Sequence, residues 1–174
     1  MMTELRDIAQ LGAKVLRLQA QIVTDVHSFE TRQIIAALHT TLANTEGVGI
    51  AAPQISESLQ IMIVASRPTV RYPTAPFMPP TVMINPHFQA LTEHKEKGWE
   101  GCLSVPSIRA LVPRYTAIKI HYVNEQGDEQ VAELDGFVAR VFQHEFDHLQ
   151  GKVFLDSVES NQDIFAESEY LKIC

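Results

Sequence analysis

The stretch from Asp135 to Gly151 constrains this chain more than any other. Gly136 to Gln150 carries no proline, Asp135 is a residue type that caps helix N-termini, and Gly151 stands where helices end in a left-handed glycine. A helix is therefore predicted over Gly136–Gln150. Phe137, Val141, His144 and His148 fall at i, i+4, i+7 and i+11, so they share one stripe and the histidines face inward. The run His144-Glu145-Phe146-Asp147-His148 reads H-E-x-x-H. At i and i+4 both imidazoles project from one face and can grip one metal ion, with Glu145 one residue round from His144. Hydrolysis of an amide at neutral pH needs such a set: a metal to acidify water and a carboxylate to handle the proton.

With 7 His and 14 Glu in 174 residues, roughly 0.02 matches are expected by accident. A surface helix with two solvated histidines is the competing reading. The apolar stripe argues against it, because a buried histidine needs a partner and a metal is the economical one.

A catalytic zinc-type site takes three protein ligands and keeps one open position. Of the two cysteines, Cys174 is the last residue, whereas Cys102 sits in Glu100-Gly101-Cys102-Leu103-Ser104, between Gly98 and Pro106. A free cysteine there is commonly a small buried hydrophobe. As a third ligand it would be softer than a carboxylate and would widen the choice of metal beyond zinc. A third segment, Glu46-Gly47-Val48-Gly49-Ile50-Ala51-Ala52-Pro53-Gln54, sets small residues around two glycines. It lacks the Lys-Ser/Thr of a phosphate loop and the third glycine of a dinucleotide fold, so alone it reads as a close-packed turn.

Together the three segments resemble peptide deformylase. That family carries G-x-G-hydrophobic-A-A-x-Q, E-G-C-hydrophobic-S and an H-E-x-x-H motif in this order. Here they are Gly47–Gln54, Glu100–Ser104 and His144–His148, and the resemblance runs from about Ile8 to about Asp156. It implies that Cys102, His144 and His148 bind the metal and that Glu145 is general base, then acid. It further implies that the Gln54 amide and the Leu103 backbone N–H stabilise the oxyanion. The implied reaction removes formate from the N-terminal formyl-methionine of new polypeptides. The implied cofactor is one divalent ion, Fe2+ first, with Zn2+, Ni2+ or Co2+ able to substitute. A thiolate-ligated iron site is prone to oxidation, which fits a reducing compartment.

The substrate pocket follows in part from geometry. Phe137 and Val141 precede the ligands on the same helical face and would wall a slot for an unbranched methionine side chain, or pack the core, or both. Val48, Gly49, Ile50, Gly101 and Arg109 complete the contacts that the resemblance implies. Arg140 stands near the stripe where relatives often carry an apolar residue, with its stem on the rim and its head in water, unless the pocket edge lies elsewhere. Arg114 is expected to pair with Asp147 or Glu100.

The chain is expected to form one catalytic domain over residues 1–174, 45% of it hydrophobic. A net charge of −7 disfavours direct nucleic-acid binding. The start, Met-Met-Thr-Glu-Leu-Arg-Asp, lacks a signal peptide's apolar core, and no apolar run is long enough for a membrane. A cytoplasmic monomer acting on N-formylmethionyl peptides is expected.

The fold class is α+β, antiparallel strands surrounding the central metal-binding helix. Ser28–Thr45 reads as an amphipathic helix capped by Ser28, with Phe29, Ile34, Ile35, Leu38 and Leu42 on one side. Leu59–Ala65 and Thr81–Ile84 read as strands flanking a proline-rich surface loop, Arg67–Pro80. Tyr115–Val123 and Glu129–Leu134 read as a hairpin.

Three departures from the family pattern stand out. The N-terminal run is Gly12-Ala13-Lys14-Val15-Leu16-Arg17, Ser107 stands where glycine is frequent, and Val158–Cys174 is acidic. An acidic tail would be repelled by ribosomal RNA, so tight ribosome association is not expected. An internal-bond zinc peptidase and a non-catalytic binding module are the competing classes. The upstream cysteine motif disfavours the first, and the full set of ligands with Glu145 and Gln54 disfavours the second.

Overall fold

The structure is a computed structural model that describes residues 4–174; the first three residues of the N-terminal run lie outside it. Helix α1 spans Phe29–Ala43, and the Ser28 hydroxyl accepts a hydrogen bond from the Thr31 N–H at 3.1 Å, the expected cap. Strands follow at β1 (Gly49–Ala51), β2 (Ile61–Ser66), β3 (Met78–Ala90), β4 (Lys95–Cys102), β5 (Val105–Tyr115), β6 (Ala117–Val123) and β7 (Glu129–Asp135). Helix α2 covers Gly136–Leu149, then β8 (Ile164–Ala166) and the single turn α3 (Glu167–Tyr170) close the chain.

The strands form two antiparallel sheets among the described residues, one ordered β1-β2-β3-β6-β7 and one ordered β4-β5-β8. Strand β2 shows how the core is built. All six of its residues are buried, and alternate side chains serve opposite faces. Ile61 and Ile63 pack with Ile34, Ile35 and Leu38 of α1, whereas Met62 and Val64 pack with Ala139 and Phe142 of α2. Each such side chain contributes roughly 1.5–3 kcal/mol of burial. The five-stranded sheet is thus held between two helices. The far side of α2 meets a smaller cluster on the second sheet, built from Cys102, Val105, Ala110, Val112 and Phe154. Helix α2, which carries His144 and His148, therefore runs between the sheets, as the sequence implies.

Local details differ from expectation in four places. Phe29 is exposed and does not join the α1 stripe. Asp135 occupies the N-cap position, but its side chain accepts no capping hydrogen bond. Strand β3 begins at Met78, inside the segment read as loop, and runs to Ala90 through Pro86. Pro86 is tolerated because the register with β6 shifts between Ile84 and His87, and Asn85 sits there at φ +49°. Tyr115 ends β5, so the hairpin with β7 starts at Ala117.

The N-terminal departure is accommodated by a turn at Gly12 (φ +106°) and a short 3-10 segment whose Leu16 is fully buried. Just before it, Ala9 N–H donates to Gln54 O at 2.7 Å and Leu11 N–H donates to Ser104 O at 2.8 Å, strapping two of the motif segments together. Ser107 sits at φ +63°, the left-handed conformation that favours glycine, which explains the glycine frequent in relatives.

Candidate active site

Cys102 ends β4, and α2 presents His144 and His148 one turn apart. The Cys102 Sγ lies 3.4 Å from His148 Nε2, and the ligand atoms of all three residues fall within 4.8 Å of one another. All three side chains are buried. A sulfur and two imidazoles converging in a dry setting form a donor set suited to a borderline or soft divalent ion. Burial, reinforced by the neighbouring His144 and Arg114, holds the His148 pKa well below the usual imidazole value, so its lone pair is available. His144 behaves oppositely. Burial disfavours its charge, but the Cys102 sulfur and the Glu100 carboxylate outweigh that and hold its pKa well above normal. Its Nδ1 bonds Glu100 Oε2 at 2.9 Å, so Nε2 is the nitrogen left to face a cation, and it takes one in exchange for the proton that the raised pKa keeps on the ring.

Glu100 is the hub behind the ligands. Arg114 grips it bidentately, Nε to Oε1 at 2.9 Å and Nη2 to Oε2 at 3.0 Å, and Arg140 Nη1 adds a 3.0 Å bond to Oε1. Burial alone would raise the Glu100 pKa, but Arg114 and His144 hold it well below the usual carboxylate range. Arg114 also donates to Asp147 Oδ2 at 2.6 Å, so both partners expected from the sequence are engaged. Arg140 lines the cavity, as expected of its stem, but its guanidinium is placed otherwise. Its head is not in water but bound to Glu100 and to the carbonyls of Val112 and Glu96, at 2.6 and 2.7 Å.

Glu145 is buried, and its Oε2 has no hydrogen-bond partner. Burial pushes its pKa up to about 7, in spite of His144. Its other oxygen lies against Gly49, where a Cβ would sit 2.6 Å from Oε1. Gly49→Ala is therefore expected to displace the carboxylate and lower formate release about tenfold or more while the protein still folds; steady-state kinetics and thermal unfolding check this. Gln54 is fixed through its amide: Oε1 accepts from Ala51 N–H at 2.9 Å, so Nε2 points at Ser104 Oγ (3.2 Å) and Cys102 Sγ (3.6 Å).

A cavity of about 430 Å³ opens over this centre. Of the residues the sequence singles out, Gly47, Val48, Gly49, Glu100, Gly101, Cys102, Leu103, Phe137, Arg140, Val141, His144 and Glu145 line it. His148 and Gln54 are buried and do not line it. Phe137 and Val141 both line the cavity and pack the core. Ile50 contributes no side chain to the cavity; it is buried against α1 and β2. Arg109 does not line the cavity either. It is buried behind Gly101, where any Cβ would overlap its guanidinium, and it donates to Glu167 at 2.7 Å.

The opposite wall was not legible. It comes from Thr69–Tyr72, Trp99, Glu167 and Leu171. The proline-rich loop supplies part of that wall. Its Tyr72 ring packs on Phe137 with centroids 4.6 Å apart and its hydroxyl donates to Trp99 O at 3.1 Å. The acidic tail also folds back. Strand β8 pairs with β5, Tyr170 packs on Trp99, and Glu159, Asp163 and Glu167 meet Lys97, Arg71 and Arg109. The one signal was Trp99, the chain's single tryptophan, beside the Glu100–Ser104 motif.

Comparison with known proteins agrees with this geometry. The family profile described as polypeptide deformylase matches residues 5–163. Peptide deformylase 2 of Nostoc sp. is 50% identical over 170 residues, 98% of this chain and 95% of that protein. Peptide deformylase 1 of Xanthomonas campestris pv. campestris is 39% identical over 96% of this chain and 97% of its own length. Among solved structures, a Met-Ala-Ser-bound class I type b peptide deformylase from Acinetobacter baumannii superposes with a TM-score of 0.87 at 40% identity, covering 90% of this chain and all of that one. Peptide deformylase from Thermotoga maritima superposes with a TM-score of 0.79 at 33% identity, covering 90% of this chain and 99% of that one. Proteins of this family are metal-dependent, and no helix among the described residues is long and apolar enough to cross a membrane. Profile, sequence and fold agree over nearly the whole length: the chain belongs to the polypeptide deformylase family and is an enzyme that removes formate from the N-terminal formyl-methionine of newly made polypeptides.

Proposed function

We propose that deformylation in this chain rests on Cys102, His144 and His148 as metal ligands, Glu145 as the proton carrier, and Gln54 with the Leu103 N–H as oxyanion donors. The observation that carries this is the convergence of one sulfur and two imidazoles under the cavity, beside the unpartnered carboxylate oxygen of Glu145. A divalent ion held there supplies Lewis acidity, acidifying water and polarising the formyl carbonyl. Fe2+ is the proposed ion, and Zn2+, Ni2+ or Co2+ can substitute, because a thiolate with two imidazoles accepts each of them.

Glu145 takes the proton of the attacking water and returns it to the departing amine. A carboxyl near pKa 7 serves both directions at neutral pH. Gln54 donates without carrying charge, and its fixed Oε1 keeps Nε2 aimed into the site. Removing one oxyanion donor costs about 10²–10³ in turnover, so Gln54→Ala is expected to lose formate release on that scale, measured by single-turnover assay. Val48, Phe137 and Val141 receive the methionine side chain, and Gly49 and Gly101 border the same cavity, their bareness leaving room for the Glu145 carboxylate and the Arg109 guanidinium behind them. We infer a cytoplasmic monomer with one catalytic domain, acting on N-formylmethionyl peptides without membrane or nucleic-acid partners. The tail's one lysine, Lys172, pairs with Glu169 at 2.8 Å, so the tail offers RNA no unpaired cation.

Cys102→Ser tests the ligand set. It exchanges a thiolate for a poor neutral ligand and is expected to weaken metal binding strongly, with formate release lost in parallel. Elemental analysis of anaerobically purified protein and a formate assay measure the two. Metal content equal to the wild type would remove Cys102 from the site. Turnover of internal peptide bonds in place of formyl peptides would favour a peptidase.

A further inference from the structure

One arginine of α2 has no part in the chemistry above. The Arg140 guanidinium is docked on the β4–β5 ladder at the register pair Gly98 and Val112. Nη1 donates to Val112 O at 2.6 Å and Gly98 O at 3.5 Å, and Nη2 donates to Glu96 O at 2.7 Å. Nη1 also donates to Glu100 Oε1 at 3.0 Å, while His144 Nδ1 holds Glu100 Oε2 at 2.9 Å. Arg140 and His144 are i and i+4 on one helix, so successive turns of α2 hold the two oxygens of one β4 carboxylate. The dock exists because position 98 has no side chain. A Cβ there would lie 2.7 Å from Arg140 Cζ and 2.8 Å from its Nε and Nη2.

We propose that Arg140, seated over Gly98, is a positioning residue for the metal centre. It fixes the spacing between α2, which carries His144 and His148, and β4, which carries Cys102, and it holds Glu100 for His144. The proposal rests on the ligand assignment above. Glycine at 98 and arginine at 140 then act as one unit: a side chain at 98 must evict the guanidinium, and the eviction undoes what the guanidinium holds. A long planar fork is needed because three carbonyls and a carboxylate are bridged at once, which a lysine ammonium cannot do.

The test is a double-mutant cycle read on zinc(II) affinity, by chelator competition, and on the cobalt(II) absorption spectrum. Thermal unfolding of each apoprotein is followed alongside. Gly98→Val and Arg140→Leu are each expected to weaken zinc affinity about 10–100-fold, the usual effect of losing a partner that orients a ligand, and to perturb the cobalt spectrum. The double variant is expected to bind no more weakly than Arg140→Leu alone, since evicting an absent guanidinium costs nothing. Arg140→Lys, which keeps the charge and the stem, serves if either single variant fails to fold, and it is expected to fall between the wild type and the loss above. Wild-type zinc affinity in Arg140→Leu or Arg140→Lys, or losses that add in the double variant, would overturn the proposal. Cys102→Ser is measured beside them: wild-type zinc affinity there would overturn the ligand set itself, a failure separable from that of Arg140.

Discussion

Glu145→Gln is expected to fold, to bind a divalent metal as the wild type does, and to release formate about 10²–10⁴-fold more slowly. The expectation follows from where the carboxylate sits. It is buried, one of its oxygens has no partner, and burial lifts its pKa to about 7. A carboxylate kept in that setting contributes nothing to folding. A neutral amide of the same shape relieves a desolvation cost, so the thermal midpoint should hold or rise. Turnover should collapse, because an amide side chain cannot take a proton from water and hand it to an amine. Three measurements on one variant separate the roles. Loss of metal would make Glu145 a ligand, and undiminished formate release would remove it from the mechanism. A large fall in stability would mean that the carboxylate is held by contacts absent from the structure.

The convergence of the candidate ligands was legible in part because the helical information is local. The i, i+4 spacing of His144 and His148 sets a face on any helix, and the terminal signals at Asp135 and Gly151 bound that helix to within a residue. Helix α1 and its Ser28 cap were legible for the same reason. What escaped depends on pairings between distant segments. Strands β4 and β5 form a long antiparallel pair around the Leu103-Ser104 turn, yet Lys95-Glu96-Lys97-Gly98 shows no apolar alternation. Their polar side chains face solvent or ion-pair partners, so period-2 hydrophobicity has nothing to report. Strand β3 was shortened because Pro79, Pro80 and Pro86 argue against a ladder, and only the bulge at Asn85 makes Pro86 acceptable. Arg109 and Ile50 were expected at the cavity from the resemblance alone, with no periodicity of their own to orient them; Ile50 packs in the core and Arg109 lies behind Gly101. The wall formed by Tyr72 and Glu167 joins residues far apart in sequence, through the Arg71–Glu167 and Arg109–Glu167 pairs. No periodicity encodes such a contact.

Glu100→Gln carries the largest expected loss of stability. The carboxylate is 4% exposed and receives four hydrogen bonds from three side chains: two from Arg114, one from Arg140 and one from His144. An amide keeps the shape and loses the charge. It leaves two largely buried guanidinium groups with Asp147 as the counter-charge on the Arg114 side alone. Breaking a buried pair in this way costs about 3–5 kcal/mol, against a typical total of about 5–15 kcal/mol. The amide can also turn its NH₂ toward His144 Nδ1, which removes the acceptor that fixes the imidazole, so metal affinity should fall about 10–100-fold. Denaturant unfolding of the apoprotein and chelator competition measure the two losses independently. Adding Arg114→Met to Glu100→Gln removes one of the stranded charges and should recover part of the stability, because replacing both partners of a buried pair is far milder than replacing one. It should recover none of the metal affinity, since the hold on His144 stays broken. An unchanged unfolding midpoint in Glu100→Gln would mean that the charge at this hub is dispensable, and recovery of metal affinity in the double variant would mean that Glu100 acts on the site through Arg114 rather than through His144.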